Sequence, residues 1–184
     1  MVDHERRLID RLLEPAYAQD VGSLSLEDLR TMREECREAE NELSFERRLC
    51  HARIDILTAE LERRKSGLSD SEFLAHLPQI LADGQPSPVD LRESPLPWRA
   101  PDFSLPRSAD VQRQRVDEIV GEETLARLTE APIDEIKGII ESLAKHERDL
   151  STRRSGVHGV MDAIQGEIVR RYTSGEADPT AALG

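Results

Sequence analysis

Residues 26–65 read LEDLRTMREECREAENELSFERRLCHARIDILTAELERRK, with neither glycine nor proline. Leu29, Cys36, Leu43, Cys50 and Leu57 recur at every seventh position, the spacing of a coiled-coil seam. Met32, Ala39, Ile54 and Leu61 widen the seam into an apolar stripe. Ser23 and Ser25 stand before the stretch as capping hydroxyls, while Arg63, Arg64, Lys65 and Gly67 close it with cations and a glycine stop. The spacing predicts one helix over 26–65, ~60 Å long.

A second stretch, Ile133 to Tyr172, repeats the first. Ile136, Leu143, Leu150, Val157 and Ile164 again fall every seven residues, each 107 positions after its mate. Leu26-Glu-Asp-Leu-Arg30 answers Ile133-Asp-Glu-Ile-Lys137, Glu34 answers Glu141, and Glu60, Arg63 and Arg64 answer Glu167, Arg170 and Arg171. Such a repeat points to descent from a symmetric dimer of one helix. The expected class is all-α: an antiparallel two-helix coiled coil with short accessory helices and a long Pro-rich linker.

The chain divides accordingly. Residues 1–25 give a short helix, over 2–13, and a connector. The long helices occupy 26–65 and 133–172, residues 66–132 link them, and 173–184 form a flexible tail. In the linker, Ser69-Asp-Ser-Glu72 is a capping box ahead of Phe73, Leu74, Leu77, Ile80 and Leu81, which predicts a short amphipathic helix closed by Gly84. Residues 84–107 carry six prolines and the sole tryptophan, Trp98, and read as irregular chain. A further helical stretch is expected over about 109–129, around Gly121. Gly138, Gly156, Gly159 and Gly166 run against a helical reading of the second long segment, each costing roughly 1 kcal/mol against alanine.

Composition narrows the function classes. Aromatic residues are 3% and charged residues 34% of the 184, which suits paired amphipathic helices better than a thick core. A net charge of −12 disfavours direct DNA binding and anionic membranes, and favours a basic protein partner. Cys36 and Cys50 lie about 21 Å apart along one helix, too far to bridge, so a reducing, cytoplasmic setting is expected. No signal peptide or membrane span is visible, nor any Walker loop, nucleophile elbow or zinc-finger spacing. A non-enzymatic protein is expected.

The repeat also carries polar residues. Glu40, Ser44, Arg47, His51 and Asp55 lie on one helical face, and Glu147, Ser151, Arg154, His158 and Asp162 reproduce them 107 residues on. Steps of four, three, four and four keep all five within about one quadrant. A solvated flank is the ordinary explanation of such a stripe. Neighbouring positions have diverged, however: Phe45 is answered by Thr152, Glu46 by Arg153, Arg48 by Ser155 and Arg53 by Val160. Retention of the polar five against that background points to a shared task. With the stripes centred on each other, Asp55 comes level with Glu147, Arg47 with Ser155 and His51 with Ser151. Arginine addresses phosphate, purine faces and the O6/N7 edge of guanine, and carboxylates accept from its N1–H and 2-amino group. A two-fold site of this inventory suits a two-fold guanine dinucleotide.

The doubled Glu-x3-Ser-x2-Arg-x3-His-x3-Asp pattern resembles the cyclic-di-GMP signature of the RsiG anti-sigma factors of actinobacteria. The likeness covers residues 26–64 and 133–171, and eight of ten positions agree; His51 and His158 stand where that family has glutamine. Two motifs in one chain with a Pro-containing linker are similar to the Streptomyces form. The resemblance implies that all ten residues line a cyclic-di-GMP site, with the regulatory ligand bound as a stacked dimer. It also implies a WhiG-class, flagellar-type sigma factor as partner, held inactive to block sporulation genes. Arg47 and Arg154 would take bases and phosphate, Asp55 and Asp162 guanine edges, and Glu40 and Glu147 would orient the arginines. Phe73, Leu74, Leu77, Leu81 and Trp98 are candidate apolar anchors for the partner. Two other readings compete: a metal-binding helical hairpin built on the His51/Asp55 and His158/Asp162 pairs, although no metal is expected beside central arginines, and a ligand-free coiled-coil adaptor.

Overall fold

The computed structural model describes residues 8–67 and 104–176, with single positions 69, 71, 72, 75 and 78. Of the expected helix behind Ser69, only positions 71, 72, 75 and 78 are among the described residues. Residues 84–103 of the Pro-rich stretch, Trp98 and the other candidate anchors, and residues 177–184 of the tail lie outside them. Every regular element among the described residues is helical.

Residues 8–12 are helical, and a 3-10 turn, Val21–Ser23, follows. Helix α1 spans Leu26–Ser66. Its start is a reciprocal cap: the Asp28 amide donates to Ser25 Oγ at 3.0 Å, and the Ser25 amide to Asp28 Oδ2 at 3.3 Å. Its end is Gly67, at φ +69°, a left-handed position that favours glycine. The capping box at Ser69 also forms, with the Ser69 amide donating to Glu72 Oε2 at 2.9 Å and the Glu72 amide facing Ser69 Oγ at 3.4 Å.

The stretch expected over 109–129 is two helices, α2 (Ala109–Ile119) and α3 (Glu122–Ala126), parted at Val120 and Gly121. Helix α4 spans Ile133–Ser174 and ends before Gly175, at φ +77°. Its four internal glycines do not break it. Among the described residues, no helix is long and apolar enough to cross a membrane.

All ten seven-spaced positions are buried, none more than 5% exposed. Each fully buried leucine among them contributes on the order of 2 kcal/mol. Cys36 and Cys50 are free thiols inside this face. Burial, aided by the charge of Glu35 at Cys36 and of Glu46 at Cys50, pushes both up to about 12, so they serve as neutral packing groups.

The chain forms two compact units. The terminal unit joins Met1–Leu43 to Ser151–Gly184, and the middle unit is Ser44–Leu150. In the terminal unit, Arg30 Nη2 donates to Tyr172 Oη at 2.5 Å and Arg33 Nη1 to Gln165 Oε1 at 3.2 Å. Arg154 Nε donates to Glu40 Oε1 at 2.7 Å. Rising numbers on α1 meet falling numbers on α4, so these segments are antiparallel. The middle unit has the same sense: Glu46 meets His146, whereas Arg64 reaches the carbonyls of Leu128 and Ala131, ahead of α4.

The 107-residue repeat extends beyond the long helices. Arg64 donates to the carbonyls of Ala131 (2.6 Å), Leu128 (2.7 Å) and Thr129 (3.2 Å). Arg171 donates to those of Leu24 (2.6 Å), Val21 (3.2 Å) and Gly22 (3.1 Å). Every donor and acceptor in one set lies 107 positions from its mate in the other. The short N-terminal helix is likewise the counterpart of α2, with Ile9 and Val116 both buried. Each repeat is therefore a short helix, a turn and a long helix.

Candidate functional site

The polar stripe sits where the seam requires it, on a flank of each long helix, half-buried apart from exposed His51. The structure regroups its ten residues. The middle unit contains Ser44, Arg47, His51 and Asp55 together with Glu147, while the terminal unit contains Ser151, Arg154, His158 and Asp162 together with Glu40. Each unit thus holds a full complement of glutamate, serine, arginine, histidine and aspartate. Four come from one copy of the motif, and the glutamate comes from the other.

That exchange is made by direct contacts. In the middle unit, Arg47 Nε donates to Glu147 Oε1 at 2.9 Å, and His51 Nε2 lies 3.3 Å from the same oxygen. In the terminal unit, Arg154 Nε donates to Glu40 Oε1 at 2.7 Å, with His158 Nε2 at 3.6 Å. One carboxylate oxygen therefore faces an arginine and a histidine, twice over. The arginines keep 30% and 31% of their side chains exposed. Each engages its glutamate through Nε, and among the described residues neither Nη1 nor Nη2 has a protein partner. Those paired N–H groups form the fork that grips a phosphate or the guanine O6/N7 edge.

The expected register needs correction. Glu147 was to stand level with Asp55, but it is His51 and Arg47, one and two turns nearer the start of α1, that hold it. The reason is charge: a register that faces two carboxylates repels, whereas a slip of about two turns sets each glutamate between two donors. Asp55 is half-buried without an ion pair among the described residues, and Asp162 is half-buried with one carboxylate oxygen, Oδ1, sealed from solvent. Ser44 and Ser151 are half-buried and both engaged in polar contacts. Among the described residues, no three His, Cys, Asp or Glu side chains gather closely enough to hold a metal ion.

Three polar residues beside the stripe, Gln112, Arg115 and His146, carry no reading in the sequence, and a fourth, Glu46, counts there only as a diverged surface position, which its burial corrects. Glu46, 1% exposed, accepts from His146 Nε2 at 2.7 Å and from Arg115 Nη1 at 3.2 Å. Gln112, also 1% exposed, faces inward from α2. Glu46 and His146 immediately precede Arg47 and Glu147, so two cross-helix contacts are stacked side by side. The available signal was the repeat itself: a glutamate at 46 answered by an arginine at 153 marks a place where the two copies do different work.

A sequence profile described as RsiG-like matches residues 15–81 and 122–183. The matched segments take in both long helices and both copies of the motif. Among curated proteins, none matches the sequence.

Proposed function

This chain belongs to the RsiG-like family, and from that premise we propose that it is a cyclic-di-GMP-responsive anti-sigma factor acting on a WhiG-class, flagellar-type sigma factor. Membership makes the protein regulatory rather than catalytic, with a sigma factor as its class of partner. The ligand and the class of sigma factor are our own reading.

The observation that carries it is the doubled Glu–Arg–His cluster, Glu147 with Arg47 and His51, and Glu40 with Arg154 and His158. Each glutamate fixes its arginine through Nε, which leaves the Nη pair as a fork for phosphate or guanine. Asp55 and Asp162 supply acceptors for the guanine N1–H and 2-amino group. Ser44, Ser151, His51 and His158 supply further donors. Two equal inventories suit two dinucleotides, one to each set, and the buried heptads are the seam of the antiparallel coiled coil that carries them. In a chain of net charge −12, attraction of these dianions depends on the local arginines. The same acidic balance suits covering the basic, DNA-reading surfaces of a sigma factor. Ligand at both sets fixes the helices in the form that holds the partner.

The test is calorimetry. Cyclic-di-GMP is expected to bind the wild-type chain, and Arg47→Ala combined with Arg154→Ala is expected to abolish the heat while circular dichroism stays helical. Undiminished affinity in that variant would overturn the assignment. Capture of a flagellar-type sigma factor that is indifferent to added cyclic-di-GMP would overturn the ligand dependence.

A further inference from the structure

Two of the chain's five histidines, His51 and His158, hold equivalent places in the polar stripes. Each shares a carboxylate oxygen with an arginine, and the arginine takes the nearer place. Glu147 Oε1 receives Arg47 Nε at 2.9 Å and faces His51 Nε2 at 3.3 Å. Glu40 Oε1 receives Arg154 Nε at 2.7 Å and faces His158 Nε2 at 3.6 Å. One negative charge thus stands between a permanent cation and a side chain that becomes a cation only on protonation. Both imidazoles keep an outlet to solvent, at 48% and 27% exposure, so a proton can reach them.

The surrounding charges fix the sign of the effect. Across from His51 is Glu147 of α4, and along α1 Arg47 and Asp55 stand one turn before and after it. Across from His158 is Glu40 of α1, and along α4 Arg154 and Asp162 stand likewise. With the imidazoles neutral, the ten residues count two cations, Arg47 and Arg154, against four carboxylates, Glu40, Asp55, Glu147 and Asp162. A proton on each histidine would balance them.

A phosphodiester is an anion throughout the range in which histidine titrates, so the ligand itself exchanges no proton there. Beside Glu147 or Glu40 it adds a second negative charge to a cluster whose single arginine already answers the first. That charge favours the imidazolium, and by reciprocity the imidazolium favours the phosphodiester. Building on the cyclic-di-GMP reading, we infer that His51 and His158 are proton-binding residues of the ligand site: they take up protons as cyclic-di-GMP binds, and its affinity rises as pH falls through the histidine range. The protein then answers to pH as well as to ligand, because one ligand concentration fills the site further in a more acidic medium.

The experiment is calorimetry of the full chain with cyclic-di-GMP between about pH 5.5 and 8, in buffers of unlike ionisation enthalpy, which counts the protons exchanged. The chains are wild type, His51→Gln, His158→Gln and the double variant. Glutamine keeps a hydrogen-bond donor at each place and cannot titrate. The wild type is expected to take up about one proton near pH 6.5, and to bind about tenfold more tightly at the acid end of the range than at the other. Each single variant should lose roughly half of the uptake, and the double variant all of it, with an affinity that varies little across the range. His146, held by Glu46, stays in every variant, so uptake that belongs to it survives in the double variant. Binding by the wild type without proton uptake, or uptake that survives in the double variant, overturns the inference and leaves the ligand reading standing. If the double variant binds nothing, the single variants decide, and undiminished uptake in both overturns the inference. Absence of any heat with the wild-type chain at every pH overturns the ligand reading and the inference with it.

Discussion

Arg64 and Arg171 perform one task twice, each reaching from the end of a long helix to three carbonyls in the turn that precedes the other. Glu46 and Arg153 hold equivalent places in the repeat and do unlike things: one is a buried carboxylate joining three helices, the other a cation in an exposed pair. Contacts that close the repeat onto itself need both partners in both copies, and duplication has kept them paired. Contacts in the middle of each helix are answered by the short helix that covers them, and there each copy has followed its own cover. The polar sets lie between these regimes, identical in membership and set beside unlike neighbours.

Substitution at the conserved ends gives the largest expected effect. Arg64→Ala removes three carbonyl hydrogen bonds and one of the two partners of Glu60, whose side chain is fully buried. A loss of about 2–3 kcal/mol is expected in urea unfolding. Arg171→Ala removes the matching carbonyl bonds, but its partner Glu167 keeps 11% exposure, so roughly half the loss is expected. Equal losses would mean that burial of the glutamate does not distinguish the two ends.

The middle of the repeat is broken in the other direction. Gln112 is buried, and among the described residues neither its Nε2 nor its Oε1 has a hydrogen-bond partner. Leucine there keeps the bulk and removes two unsatisfied polar atoms, so Gln112→Leu is expected to stabilise the chain by about 1 kcal/mol. The gain should appear as slower amide exchange over α2. A loss would show that these atoms do hold partners in solution.

The glycines of α4 sharpen the same contrast on a smaller scale. A β-carbon at Gly159 or Gly166 meets nothing within 4 Å, and alanine at either is expected to stabilise by roughly 0.5–1 kcal/mol through helix propensity. A β-carbon at Gly156 would come within 2.6 Å of Leu13 Cδ2. Alanine there should give less, or cost stability, as Leu13 shifts aside. Thermal unfolding of the three single variants decides it. Leu49 stands at the position equivalent to Gly156, so the same place is filled in one copy and emptied in the other to admit a neighbour.

Much of this architecture was readable in the sequence. The seven-residue interval named ten buried positions on α1 and α4, because a period fixes which face turns inward. The polar ten were readable as a duplicated set for the same reason. Their grouping was not: a slip of one heptad, two turns, leaves the seam intact, and only the facing charges decide which glutamate meets which arginine. Glu46, Gln112, Arg115 and His146 carry no period. A buried carboxylate and a solvated one are the same letter until the helix that covers it is in place.

The smallest expected effect is on the acid side of stability, and it compares the two conserved ends once more. Hydrogen bonds from Arg170, then Arg171, hold the Glu167 carboxyl down at about 2 against an ordinary value of 4.5. Hydrogen bonds from Arg63 and Arg64 lower Glu60 too, against the opposing pull of burial. A carboxyl lowered in the folded state binds fewer protons there than in the unfolded chain. Its contribution is therefore complete above the unfolded value near 4.5 and is lost as pH falls towards the folded one. Glu167→Gln removes that dependence at one end only. Between about pH 4.5 and 2 its stability should fall less steeply than that of the wild type, while Glu60 still supplies the remaining slope. Acid titrations of the two chains that run parallel through this window would mean that the Glu167 cluster loosens in solution, and that the two ends of the repeat differ more than their shared residues suggest.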